Sequence, residues 1–187
     1  MNNILWRRLR YMLTPQFDLY QHIAGHLAGK RVLEVGFGTG LGTVQLARHA
    51  TLVRACEISR EAVLFAQKTL PLRNVHWMEY DIMLRADLRG VYHAAVMVEV
   101  LEHIEDWHKA LANVRGLLRA DGKLYITARN RNADLRRNDL HEREWTAAEF
   151  KAALRLYFAD VKLFDYTLTT GLDESTHVTP LIAVAIK

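Results

Sequence analysis

The sequence predicts an α/β chain built on a mostly parallel sheet, with helices on both faces and an antiparallel strand at the edge. Three observations predict it. Short apolar runs alternate with amphipathic segments from Arg31 to Thr127, as strand–helix units feeding a parallel sheet do. Two further apolar runs, Val161 to Leu168 and Leu181 to Ile186, have no helix predicted between them and make an antiparallel pair. A glycine cluster and several acidic residues fall just after successive strands, and open α/β sheets bind ligands outside those carboxyl ends.

Arg31-Val32-Leu33-Glu34-Val35 is the first strand, and a helix follows from Leu41 to Ala50. Leu52 to Glu57 is the second strand. Ser59 then offers a hydroxyl to a first-turn amide and caps a helix over Arg60 to Thr69, stopped near Pro71. Val75 to Met78 is the third strand and His93 to Val98 the fourth, with Asp106 capping a helix from about Trp107. The Asp121-Gly122 turn introduces the fifth strand, Lys123 to Thr127. Thr146 followed three residues later by Glu149 is a capping box, so a helix starts at Ala147.

Composition narrows the class. The chain has 187 residues, is half hydrophobic and carries a net charge of +4, with 10 Gly and 3 Pro. That apolar content excludes disorder and collagen-like repeats, and the length suits a single domain. Residues 1–28 read as a helical cap and residues 29–187 as the ligand-binding core. The lone cysteine, Cys56, excludes a disulfide framework and fits a reducing cytosol. No stretch approaches the ~18 apolar residues of a membrane span, and arginines interrupt the first ten residues where a signal peptide needs an apolar core. The segment Trp6 to Leu13 is basic and aromatic, and reads as a helix packing its Leu5, Leu9 and Met12 stripe, or as a lid or membrane-surface contact.

Gly36-Phe37-Gly38-Thr39-Gly40 lies between the first strand and the first helix, where glycines let backbone turn tightly and approach a ligand. The dinucleotide fingerprint G-x-G-x-x-G would need a third glycine at Leu41, and no Gly-Lys-Ser/Thr is present. A nicotinamide enzyme and a P-loop are thereby excluded. Glu57, ending the second strand, can accept from a ribose diol, and Asp81, after the third, from an adenine amino group.

These residues carry a resemblance. Val32 to Gly40, Glu57, Asp81, the Glu99-Val100-Leu101-Glu102-His103-Ile104 segment and Leu117 to Leu124 resemble class I S-adenosylmethionine-dependent methyltransferases, from about Leu19 to Lys187. The resemblance implies a Rossmann-like, seven-stranded sheet with that antiparallel edge. It implies that Glu34 lies near the methionine amino group of S-adenosylmethionine, and that Gly36, Phe37, Gly38 and Gly40 pass under the cofactor. It implies further that Glu57 and Ile58 flank the ribose, that Asp81 and Ile82 flank the adenine, and that Glu99 lies beside the cofactor. Where the family has Pro-Gly-Gly before the fifth strand, this chain has Ala120-Asp121-Gly122.

Glu99, Glu102 and His103 follow the fourth strand at a spacing that one helical turn would bring to one face. Two carboxylates and an imidazole suit Mg²⁺ or Mn²⁺, with His141 as a fourth ligand, and such an ion would acidify a substrate hydroxyl. Without a metal, His103 serves as general base, with Glu102 beside it. The same residues are similar to two subfamilies. Ubiquinone-pathway O-methyltransferases share the Glu99-to-His103 run and the Thr127-to-Asn132 stretch, which implies a small-molecule acceptor. Small-RNA 3′-terminal 2′-O-methyltransferases share Glu99, Glu102, His103 and His141 four residues before Trp145, with departures at Leu140 and Arg143. The expectation is O-methylation of a small molecule, with RNA 3′-end methylation and a non-catalytic cofactor-binding protein as alternatives. Arg129, Arg131, Arg136 and Arg137 form a basic loop by the expected mouth, suited to an anionic substrate group or to solvent.

Overall fold

The computed structural model describes residues 15–84, 90–133 and 142–187. In chain order these form α1 (Pro15–Gly25), β1 (Arg31–Val35), α2 (Leu41–Ala47), β2 (Leu52–Glu57), α3 (Arg60–Thr69), β3 (Val75–Glu79), β4 (Tyr92–Met97), a short 3₁₀ turn (Leu101–His103), α4 (Trp107–Leu117), β5 (Leu118–Ala128), α5 (Ala147–Arg155), β6 (Asp160–Phe164), β7 (Gly171–Leu172) and β8 (Leu181–Ile186). The Trp6-to-Leu13 segment, His141 and the Arg136-Arg137 pair lie outside the described residues.

One sheet runs in the order β3-β2-β1-β4-β5-β8-β6-β7. The first five strands are parallel, β8 runs antiparallel between β5 and β6, and β7 pairs antiparallel with β6. The expected fold class therefore holds, with eight strands in place of seven. The additional strand arises because the Val161-to-Leu168 run stops at Phe164. There Asp165 Oδ1 accepts from the Thr167 and Thr170 amides, at 3.1 and 3.4 Å, and folds the chain back onto β6. The fifth strand also differs: it starts at Leu118, opposite Tyr92, and the residues before Lys123 bulge out of the ladder.

Adjacent strand residues face opposite layers. Leu33, Ala95, Met97, Leu124 and Ile126 pack with α4 and α5, whereas Val32, Val53, Ala94, Val96 and Tyr125 pack with Leu19, Tyr20 and Ile23 of α1, Leu46 of α2 and Val63 of α3. Helix starts follow the sequence signals. Ser59 Oγ accepts from the Ala62 amide at 3.3 Å and Asp106 Oδ1 from the Lys109 amide at 3.1 Å, while Thr146 and Glu149 close the capping box. Among the described residues no helix is long and apolar enough to cross a membrane.

Candidate functional site

The chain adds β2 and β3 outward from β1 and then returns to lay β4 on its other side, so the strand order reverses between β1 and β4. Beyond the carboxyl ends of these strands lies a cavity of about 610 Å³, inside the ~300–1,000 Å³ range of small-ligand sites. Gly36, Gly38, Glu57, Ile58, Asp81, Ile82, Glu99 and His103 line it, as do Val35, Tyr80, Met83, Val100, Ile104, Glu105 and Asp106.

The glycine loop forms the floor. Gly36 has φ 74°, and a Cβ there would stand 2.4 Å from Val100 Cγ2, so only glycine lets the two loops meet. Gly38 has φ 55° with open space where a side chain would project. Phe37 and Gly40 turn away from the cavity. Phe37 is buried edge-on against Trp77, ring centroids 4.9 Å apart, and Gly40 makes room for Leu70 and Trp77 at the start of α2. Glu34 has no exposed surface and does not line the cavity. Burial pushes its pKa from 4.5 up to about 7, against the pull of the Thr43 and Tyr20 hydroxyls and with a smaller push from Glu57.

At the end of β2, Glu57 Oε2 accepts from the Gly38 amide at 2.9 Å, and Oε1 from the Ile58 and Ser59 amides at 2.9 and 3.1 Å. A carboxylate has about four acceptor positions, so one remains on Oε2, toward the cavity. After β3, Asp81 Oδ1 accepts from the Met83 amide at 2.8 Å.

After β4 the backbone is strained. Glu99 adopts φ 56°, a left-handed conformation uncommon outside glycine and one that clusters at functional sites. The buried Thr127 on β5 holds it there, its hydroxyl accepting from the Glu99 amide at 2.8 Å. The turn after Glu99 is 3₁₀ rather than α-helical, so Glu102 and His103 point apart: Glu102 is fully buried and His103 is exposed on the cavity wall. This corrects the expectation that the three side chains share one face. Burial first, and the neighbouring Glu99 charge second, push the Glu102 pKa from 4.5 to about 8, and neither of its oxygens has a hydrogen-bond partner among the described residues.

Among the described residues no three His, Cys, Asp or Glu side chains come together in a way that could hold a metal ion. The fully buried Glu102 and the exposed His103 point apart, so the described residues do not bring Glu99, Glu102 and His103 together as one ligand set for Mg²⁺ or Mn²⁺, and His141 lies outside the described residues. Of the basic loop, Arg131 is tied to Glu149 at 2.8 Å. The segment leading into α5 is fastened to the site: the Glu142 amide donates to the Glu102 carbonyl at 2.8 Å and the Trp145 amide to the Arg129 carbonyl at 2.9 Å. Sequence reasoning passed over Tyr80, Met83, Val100, Ile104, Glu105 and Asp106. Their only signal was adjacency to the strand ends, and Asp106 was read solely as a helix cap.

Comparison with known proteins bears on this arrangement. A family model described as a methyltransferase domain matches residues 5–164. The ubiquinone biosynthesis O-methyltransferase of Coxiella burnetii is 30% identical over 108 residues, covering 57% of this chain and 46% of that protein. The chain thus spans about half the length of the curated relatives it matches. In fold it is similar to a methyltransferase of Thermotoga maritima described as a possible histamine N-methyltransferase, with TM-score 0.72, 18% identity and coverage of 97% and 95% of the two chains. It is also similar to the 1,6-didemethyltoxoflavin-N1-methyltransferase of Burkholderia thailandensis bound to S-adenosylhomocysteine, with TM-score 0.67, 20% identity and coverage of 98% and 80%. Matched by that family model along most of its length, the chain belongs to the methyltransferase-domain family and has the class I S-adenosylmethionine-dependent methyltransferase fold.

Proposed function

We propose that the chain is an S-adenosylmethionine-dependent methyltransferase acting on an oxygen of a small molecule, with His103 as the proton acceptor. One observation carries the reading: a single cavity has the glycine loop as its floor, the pre-bonded Glu57 carboxylate at one end and the exposed His103 imidazole on its wall. The residues fit the cofactor. Open space over Gly38 admits it, the remaining acceptor position on Glu57 suits a ribose hydroxyl, and Asp81 beside Ile82 suits an adenine.

When bound, S-adenosylmethionine supplies a methyl group on a sulfonium centre. Gly36 and Gly38 let the backbone approach, Glu57 orients the sugar, and the apolar Val100 and Ile104 exclude water from the acceptor end. His103 holds the acceptor hydroxyl's proton at an imidazole nitrogen, which leaves the oxygen free to attack. The size of the cavity and the small-molecule name of the Coxiella relative support a small acceptor. The buried, free Cys56 supports a reducing, cytosolic setting.

Calorimetric titration of S-adenosylmethionine and S-adenosylhomocysteine, each with Mn²⁺ and with EDTA, tests the reading. Binding that is indifferent to both additions is the expected result. No binding by either ligand would overturn it and favour a protein with another role for the cavity.

A further inference from the structure

Asparagine is a poor helix-interior residue, because its amide competes for nearby backbone groups. Asn113 nevertheless stands in the middle of α4, beside the buried stripe of Ala110, Leu111 and Val114. Its side chain reaches out of the helix. Nδ2 donates to the Ile82 carbonyl at 2.7 Å and stands 3.5 Å from the Leu84 carbonyl, contacts spanning 31 and 29 residues of sequence.

The turn that it reaches carries Asp81, Ile82 and Met83 on the cavity wall. Its internal bonds set its shape: the Leu84 amide donates to the Asp81 carbonyl at 2.9 Å, and the Tyr80 hydroxyl to the Leu84 carbonyl at 2.8 Å. What Asn113 adds is orientation. The Ile82 carbonyl and the Met83 N–H belong to one planar peptide unit. Asn113 holds the oxygen end of that plane, and the hydrogen end donates to Asp81 Oδ1 at 2.8 Å. A relay therefore runs from the α4 amide, across one peptide, to the Asp81 carboxylate, and each bond polarises the next.

We propose that Asn113 is the positioning residue of the base site: through the Ile82–Met83 peptide it fixes the Asp81 carboxylate so that Oδ2 can accept from the exocyclic amino group of a purine. The proposal rests on the reading of Asp81 given above. A turn whose carbonyls merely needed donors would be served equally by water, whereas this donor comes from the helix whose N-cap, Asp106, also lines the cavity.

The test uses two probes, S-adenosylhomocysteine and S-inosylhomocysteine, in which an oxo group replaces the amino group. The isosteric Asn113→Asp change puts an acceptor against two carbonyls, and Asn113→Ser removes the reach without adding charge. Both variants should bind S-adenosylhomocysteine about 3- to 10-fold more weakly, the loss of one neutral hydrogen bond, and bind the inosine analogue within about twofold of the parent. The preference for adenine then shrinks. Equal weakening of both ligands, or an unchanged preference, overturns the proposal. Asp81→Asn separates the two layers of the argument. If the parent discriminates, Asp81→Asn abolishes the discrimination and the Asn113 variants keep it, only the role of Asn113 falls. If the parent does not discriminate, the reading of Asp81 falls first and the role of Asn113 with it.

Discussion

The two ends of the sheet are built to opposite rules. At the carboxyl ends of the parallel strands, Glu57, Asp81, Glu99, Glu105 and Asp106 line the cavity, with His103 as the one imidazole among the described lining residues. At the amino ends, cations gather: the Arg31 amide donates to His93 Nδ1 at 3.1 Å, Arg119 lies 2.9 Å from His93 Nε2 and 3.7 Å from Asp121, and Lys187 donates to the Leu118 carbonyl. The carboxyl end also carries the strain and the unmet polarity. Left-handed Glu99 is there, and so are the buried Glu34, whose carboxyl faces the Thr43 and Tyr20 hydroxyls, and Glu102 and Trp145, whose buried side-chain polar atoms have no hydrogen-bond partner among the described residues. Buried groups without partners are costly and rare. Among the described residues these groups lie at the end of the sheet where the proposed chemistry is placed, away from the end that only supports.

The sharpest way to break this contrast is at His103. His103→Ala should lower turnover by about 10²- to 10⁴-fold, the usual worth of a positioned general base, while S-adenosylhomocysteine affinity stays within about twofold. A variant of undiminished rate with the natural acceptor would remove His103 from the mechanism.

How much of this was legible in the sequence depends on the range of the interaction. β1, β2 and α3 fall on the residues read from the sequence, because a buried apolar block bounded by polar residues and a local Ser59 cap act within a few positions. The glycine loop, Glu57 and Asp81 were legible for the same reason, each standing at a strand end. The second strand of the β6–β7 hairpin was not, since its residues follow a side-chain turn at Asp165 and not an apolar pattern. The facing of Glu102 and His103 was missed because three residues of 3₁₀ turn rotate side chains differently from the α-helical spacing assumed. Asn113 gave one local sign, an asparagine inside a helix, but no pattern named its partners, which lie 31 and 29 residues away.

Glu34 tests whether the carboxyl end really stores electrostatic cost. Its pKa is raised on folding from 4.5 to about 7, chiefly by burial, so the folded state binds the proton more tightly than the unfolded chain. The stabilisation is complete below pH 4.5, is lost as pH rises through about 7 and is flat above. By linkage at ~1.4 kcal/mol per unit this amounts to about 3 kcal/mol at most. Thermal melts of the cofactor-free protein should show a shallower decline between pH 5 and 8 in Glu34→Gln than in the parent. Parallel curves would mean that the carboxyl is hydrated in solution.

Glu57→Ala should cost about 10- to 100-fold in S-adenosylhomocysteine affinity, the range for hydrogen bonds to a charged group. It should also lower the melting temperature by a few degrees, because the Gly38, Ile58 and Ser59 amides lose their acceptor. Calorimetry with unchanged affinity would misplace the ribose.

The smallest effect belongs at the other end of the sheet, and the contrast needs it to be small. Arg119 touches His93 and Asp121 with its side chain 48% exposed, and solvent screens such contacts. Arg119→Ala should therefore change stability by about 0.5 kcal/mol or less and leave cofactor affinity and turnover within about twofold. His93 gives this prediction its edge. A neutral imidazole has one N–H and one acceptor nitrogen, yet the Arg31 amide and the Arg119 guanidinium both approach it as donors. With Nδ1 accepting from the Arg31 amide, the N–H of a neutral ring sits on Nε2 and faces the Arg119 guanidinium, so removing Arg119 gives up no hydrogen bond to the imidazole. A drop in turnover at unchanged melting temperature would show that the basic end communicates with the cavity through β4, and the division between supporting and reacting ends would then have to be abandoned.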